Sequence, residues 1–142
     1  SLGAVTDARV LDAYAGSGAL GIEALSRGAA HVTFAETDAA ARAVLTANLA
    51  HTGLQTEATV LAGDGARSAA HGPWDLVLLD PPYAFDGWPD LLAAAAQGLA
   101  VDGLVVVESD REVDLGTALH GIRTRQYGGT VVTFATRTGA SS

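Results

Sequence analysis

The tightest constraint on this chain is a glycine loop, Gly16-Ser17-Gly18-Ala19-Leu20-Gly21, set between an apolar run and a helix-forming run. The run Arg9 to Tyr14 predicts a short buried strand, and Ala19 to Arg27 predicts a helix that Gly28 stops at its C-terminal position. Glycines at such a strand-to-helix turn let a ligand approach the backbone, and Glu36 stands twenty positions after Gly16. These features match the dinucleotide fingerprint, in which the acid holds a ribose. A hydride-transfer enzyme is one reading of the loop.

The rest of the chain continues the alternation. His31 to Glu36 reads as a second strand, and Asp38 can cap a helix that runs to Thr52 and ends at Gly53. Thr56 to Ala62 predicts a third strand, followed by a helical turn around Ala66 to Ala70. Leu76 to Leu79 and Leu104 to Val107 are continuous apolar runs, as expected of central strands covered on both faces, with a helix from Pro89 to Leu99 between them. Ile122 to Tyr127 and Thr130 to Thr136 flank Gly128-Gly129 and read as a hairpin. The expected fold is one α/β domain over residues 1–142: a mostly parallel, doubly wound, Rossmann-like sheet ending in an antiparallel hairpin.

Acidic residues turn the glycine loop away from a phosphate. Asp12 lies four residues before Gly16, where a carboxylate would repel a pyrophosphate. Asp64 follows the third strand and Asp80 the fourth, so Asp12, Glu36, Asp64 and Asp80 all fall at carboxyl ends of parallel strands. Open α/β sheets bind ligands at that edge. S-adenosylmethionine suits such a lining: it carries a sulfonium, an ammonium, ribose hydroxyls and an adenine amine, and no phosphate. Its hydroxyls and amines can donate to carboxylates, which only accept. Asp64 before Gly65 also fits a plain turn.

Asp80 opens the tetrapeptide Asp80-Pro81-Pro82-Tyr83. Prolines cannot donate hydrogen bonds, and they stiffen a loop whose carbonyls remain free to accept from an exocyclic amine. Asp80 can accept a second N–H, and the Tyr83 ring offers a face for a flipped nucleobase. A Pro-stiffened turn is the structural alternative.

Composition bounds the chemistry. The chain has no cysteine, so disulfides, thiol catalysis and Cys-ligated zinc are excluded. Its four histidines lack metal-ligand spacing, and no metal is expected. No apolar run approaches the roughly 20 residues of a membrane span. A net charge of -8 opposes a nucleic-acid partner, although all eight basic residues are Arg. Arg123 and Arg125 share one strand face and Arg137 ends the next strand, a pattern expected of a solvated sheet edge.

With the loop, the acids and the proline tetrapeptide in place, the chain resembles the class I S-adenosylmethionine-dependent methyltransferases. More narrowly it resembles the ribosomal small-subunit methyltransferase D (RsmD) family, which methylates N2 of a guanine in 16S rRNA. The stretch from Val10 to Ala30 carries this resemblance, with Glu36 and Asp38, Asn48, Asp75-Leu76-Val77 before Asp80, Glu108, and Tyr127-Gly128 before Thr130. The resemblance implies that Asp80, Pro81, Pro82 and Tyr83 form the catalytic loop. It implies a cofactor site of Asp12, Tyr14, Gly16, Gly18, Glu36, Thr37, Asp64 and Gly65, filled by S-adenosylmethionine and left with S-adenosylhomocysteine. The implied partner is 16S rRNA or the small subunit, in the cytoplasm, with the enzyme as a monomer. Two departures stand out. The family's basic amino-terminal segment with its Arg-Pro-Thr motif is not found here, and Gly129 replaces the usual Asp of a Tyr-Gly-Asp-Thr turn. A DNA amino-methyltransferase would share every site residue, and a cofactor-binding module without catalysis is the third alternative.

Overall fold

In a computed structural model, residues 5–82 and 84–139 are described. The strands are β1 (Arg9–Asp12), β2 (His31–Ala35), β3 (Ala58–Leu61), β4 (Trp74–Leu79), β5 (Leu99–Ser109), β6 (Leu119–Tyr127) and β7 (Thr130–Arg137). The helices are α1 (Ala19–Ser26), α2 (Ala39–Thr52), α3 (Gly65–Ala69) and α4 (Trp88–Gly98). One sheet runs in the order β3-β2-β1-β4-β5-β7-β6. The first five strands of that order are parallel; β7 pairs antiparallel with both β5 and β6.

Two apolar layers follow from this arrangement. On one face Leu45 and Leu49 of α2 and Ala24 and Leu25 of α1 pack on Val10, Val32, Phe34 and Leu76. On the other, Leu91, Leu92 and Ala95 of α4 and Ala69 of α3 pack on Leu11, Val77, Leu79 and Val105. The continuous apolar runs at β4 and β5 are explained by burial on both sides.

Three local differences from the sequence reading have physical causes. Residues 55–57 form a 3-10 turn before β3, where the Thr56 hydroxyl donates to the Glu57 carboxylate at 2.6 Å. The Glu57 N–H donates to the Leu54 carbonyl at 3.2 Å, so it is spent in the turn and not in strand pairing. Strand β5 begins earlier than expected, at Leu99, with a register break around Asp102, whose φ of 65° interrupts the ladder. Arg137 does not lie on a solvated edge: its guanidinium donates to the carbonyls of Ala96 and Leu99 and closes the end of α4. Arg123 and Arg125 do sit exposed on the edge strand β6.

Candidate active site at the switch point of the sheet

The chain leaves β1 toward β2 on one side and later enters β4 on the other, so the crevice between β1 and β4 is the topological switch point of this sheet. Ligands of open α/β folds bind at the carboxyl ends of strands there. Asp12 ends β1, Glu36 directly follows β2, Asp64 precedes α3, Asp80 directly follows β4, and Glu108 lies near the end of β5.

The glycine loop is held from three directions. Gly16 donates its N–H to Glu36 Oε1 at 2.8 Å, Ala15 donates to the Ala35 carbonyl at 3.1 Å, and Asn48 Nδ2 donates to the Ser17 carbonyl at 2.9 Å. Gly16 and Gly18 have φ of 56° and 88°, a region that favours glycine. A side chain on Gly18 would run into Leu45, whereas one on Gly16 would meet nothing within 4 Å. Open space over Gly16 is where a ligand can approach the backbone.

The carboxylates divide by role. Glu36 is pinned at both oxygens, because Oε2 also accepts from the Asp38 N–H at 2.9 Å. It is therefore oriented before any ligand arrives, with lone pairs left over for hydroxyl donors. Asp64 caps α3 by accepting from the Ala66 N–H at 3.1 Å, so the turn role foreseen for it is present in the fold. Asp12 is 2% exposed and accepts from the Gly21 N–H at 3.1 Å, inside the first turn of α1. Burial pushes its carboxyl up to about 7; the Gly21 N–H opposes this, and the charges of Asp80, Glu36 and Glu108 add to it.

Asp80 and Glu108 form a pair. Leu79 is in register with Val107 across the parallel β4 and β5, which brings the next residue of each strand side by side. Their carboxyl groups lie within hydrogen-bonding reach of each other. Although Asp80 stays open to solvent along one side, partial burial raises its carboxyl and the bond from Glu108 lowers it. Glu108 is raised by burial and then by its neighbour Asp80. Together with Pro81, Pro82 and Trp88 they line a cavity of about 430 Å³ that reaches Gly129 and Thr130 in the β6–β7 turn.

Among the other expected site residues, Tyr14 packs edge-on against Phe85 with ring centroids 5.7 Å apart, and Phe85 meets Trp88 at 5.3 Å. Burial, followed by the Asp64 charge, pushes the Tyr14 hydroxyl up to about 12. Thr37 is exposed, and its carbonyl accepts from Arg42 Nη1 at 2.9 Å. Gly65 is buried where a Cβ would strike the Ala13 carbonyl. Tyr83 lies outside the described residues. Sequence reasoning noted Glu108 only as a family match and did not place it, Trp88 or Thr130 at the site. Glu108 obeys the same strand-end rule as the other acids, so that signal was available.

Residues 2–136 match the family model described as conserved hypothetical protein 95. The chain is 37% identical over 116 residues to Ribosomal RNA small subunit methyltransferase D of Escherichia coli strain K12, covering 80% of this chain and 59% of that protein. The chain belongs to the RsmD family. Another relative, YlbH of Bacillus subtilis strain 168, is 41% identical over 115 residues, 75% of this chain and 62% of YlbH. The chain thus spans about three fifths of the length of these curated relatives. A solved structure described as a conserved hypothetical protein of Streptococcus pyogenes superposes with a TM-score of 0.83 at 34% identity, covering 96% of this chain and 90% of that one. The strand order with its antiparallel end is the class I methyltransferase fold.

The residues present fit S-adenosylmethionine. Acceptor side chains converge on the open backbone of Gly16, and the nearby cation of Arg42 is spent on the carbonyls of Glu36 and Thr37 at 2.9 Å. That lining suits hydroxyls, amines and a sulfonium better than a phosphate. Among the described residues no group of three or more His, Cys, Asp or Glu is placed to hold a metal ion, and no helix is long and apolar enough to cross a membrane.

Proposed function

We propose that this chain is an S-adenosylmethionine-dependent methyltransferase acting on the exocyclic N2 amine of a guanine in 16S rRNA. The observation that carries the reading is the pairing of two half-sites across the switch point. Glu36 fixes a glycine loop on one side, and Asp80 with Pro81 presents acceptors on the other. The name of the RsmD relatives supports the polymer, ribosomal RNA of the small subunit; the choice of the N2 amine rests on the acceptors that Asp80 and Pro81 offer a planar amine.

S-adenosylmethionine supplies an electrophilic methyl group on a sulfonium whose leaving group is neutral. Glu36 takes the ribose hydroxyls, Gly16 and Gly18 lie against the methionine portion, and Asp64 receives the adenine amine. Tyr14, Thr37 and Gly65 complete the walls. Asp12 sets the field at the mouth of the loop.

The guanine amine is conjugated with its ring, so its lone pair must be turned toward the methyl carbon. Asp80 and the Pro81 carbonyl accept its two hydrogens and aim the lone pair, and Asp80 is placed to stabilise the charge that develops on nitrogen. Pro82 rigidifies the loop, and Tyr83 stacks on the flipped base. The enzyme works as a monomer in the cytoplasm, where small subunits are assembled.

The test is transfer of labelled methyl to unmethylated small subunits, naked 16S rRNA and duplex DNA, followed by mapping of the modified atom. Label on a guanine N2 of the RNA is the expected result. Label on DNA alone would overturn the choice of polymer. Protection from thermal unfolding by NADH and not by S-adenosylmethionine would overturn the chemistry.

A further inference from the structure

Glu108 is the one carboxyl at the strand ends that the mechanism above does not use. It nevertheless lines the same cavity as Asp80, Pro81 and Trp88. Alternation along β4 and β5 turns Asp80 and Glu108 toward the sheet face of Leu78 and Val106. Parallel register puts the two carboxyl groups on adjacent strands, roughly 5 Å apart in backbone spacing and within reach of each other. A partner beside Asp80 will therefore face whatever ring atom lies beside the amine that Asp80 holds.

We propose that Glu108 determines which base the site accepts, by receiving the ring N1–H of guanine next to the N2 amine held by Asp80. This rests on the proposed reading of the cavity as the site of the target base.

The chemistry of the three amino bases separates them. Guanine presents two adjacent donors on this edge, N2–H and N1–H. Adenine and cytosine present one donor, and the ring nitrogen beside it is an acceptor. Two carboxylates side by side repel each other, and the Asp80 charge raises Glu108. A donor–donor edge relieves that repulsion by giving each carboxylate one N–H. A donor–acceptor edge would leave Glu108 facing a lone pair, unless Glu108 kept its proton and donated it. The positive sulfonium offsets the second negative charge and favours the ionised pair.

2-Aminopurine separates these cases, because it keeps the amine at the same carbon while its adjacent ring nitrogen is an acceptor. Once the target guanine is mapped, small subunits are rebuilt on RNA carrying guanine or 2-aminopurine there. The wild-type chain should prefer guanine in kcat/KM by roughly tenfold to a hundredfold, the discrimination expected of a well-placed hydrogen-bonded pair. Glu108→Gln, whose amide can donate to the ring nitrogen, should abolish or invert that preference, and Glu108→Asp should keep its direction. Both variants should bind S-adenosylmethionine within a few-fold of the wild type by calorimetry, a readout that separates loss of base selection from misfolding. Equal transfer to both bases by the wild type, or an unchanged preference in Glu108→Gln, would overturn the assignment while leaving the methyltransferase reading intact. If the wild type labels no RNA guanine at all, that reading falls and this assignment falls with it.

Discussion

Burial keeps the Asp12 carboxyl neutral up to about 7, against the opposing pull of the Gly21 N–H, whereas 3.8 is its ordinary value. The folded state thus binds a proton that the unfolded chain has lost. Stability from this source is fully present below pH 3.8 and is lost as pH rises toward about 7. The amount is roughly 4 kcal/mol. Asp12→Asn keeps an acceptor for Gly21 and removes the titration. Urea unfolding at pH 5 and pH 8 should show wild-type stability falling by about 2–3 kcal/mol more than that of the variant, the part of the linkage that lies above pH 5. Parallel losses in the two proteins would show that Asp12 is ionised in the fold. Two further substitutions separate the half-sites. Asp80→Ala should lower methyl transfer about 10²- to 10³-fold while S-adenosylmethionine affinity stays within a few-fold. Glu36→Ala should do the reverse, weakening cofactor binding by about tenfold or more, because a charged acceptor and the anchor of Gly16 are both lost. Unchanged binding by calorimetry would refute the ribose role of Glu36.

At the scale of elements, Arg137 shows how a residue near the end of the chain completes a helix made forty residues earlier. Its forked guanidinium donates to the Ala96 carbonyl, which also accepts from the Leu99 N–H at the C-terminal end of α4, and to the Leu99 carbonyl where β5 begins. Arg137→Ala should cost about 1.5–3 kcal/mol in denaturant unfolding with little change in cofactor affinity. A midpoint equal to that of the wild type would show that water serves those carbonyls as well. This contact also marks the limit of what the sequence discloses. Apolar runs and helix-stopping glycines were enough to place the strands and helices in order and most of their ends within a few residues, because patterning and capping are local; the start of β5 at Leu99, inside the expected helix, was not so placed. The strand-end rule was enough to gather Asp12, Glu36, Asp64 and Asp80. What the sequence could not disclose is where those side chains point. Asp12 turns inward onto the Gly21 N–H, a partner in the following helix nine residues along the chain. Asp64 turns onto its own helix. Glu108 meets Asp80 only because β5 lies beside β4, a neighbour relation that depends on the order of strands in the sheet and not on their order in the chain.

For the molecule as a whole, a net charge of -8 is concentrated where it matters most, since five of its sixteen acidic residues collect at one edge of the sheet. Asp12, Asp80 and Glu108 are each raised by burial, and the charges of neighbouring carboxylates push Asp12 and Glu108 up further. A ligand bearing a positive sulfonium relieves that repulsion; the product S-adenosylhomocysteine, with a neutral thioether, has the same shape without that charge. Both should raise the melting temperature. At a hundred times its Kd a ligand contributes about 2.7 kcal/mol, or roughly 10 °C for a chain of this size. At equal concentration the cationic ligand should bind more tightly in low salt than in high salt, and the neutral one should change little. Binding of the cation near pH 7 should also expel a proton from the acidic edge, since a positive charge favours the ionised carboxylates. Calorimetry in two buffers of different ionisation enthalpy detects that proton, and Asp12→Asn should reduce it. If both ligands bind with the same salt dependence and no proton is released, the acids serve the fold's own turns and caps, and the electrostatic account of cofactor choice fails.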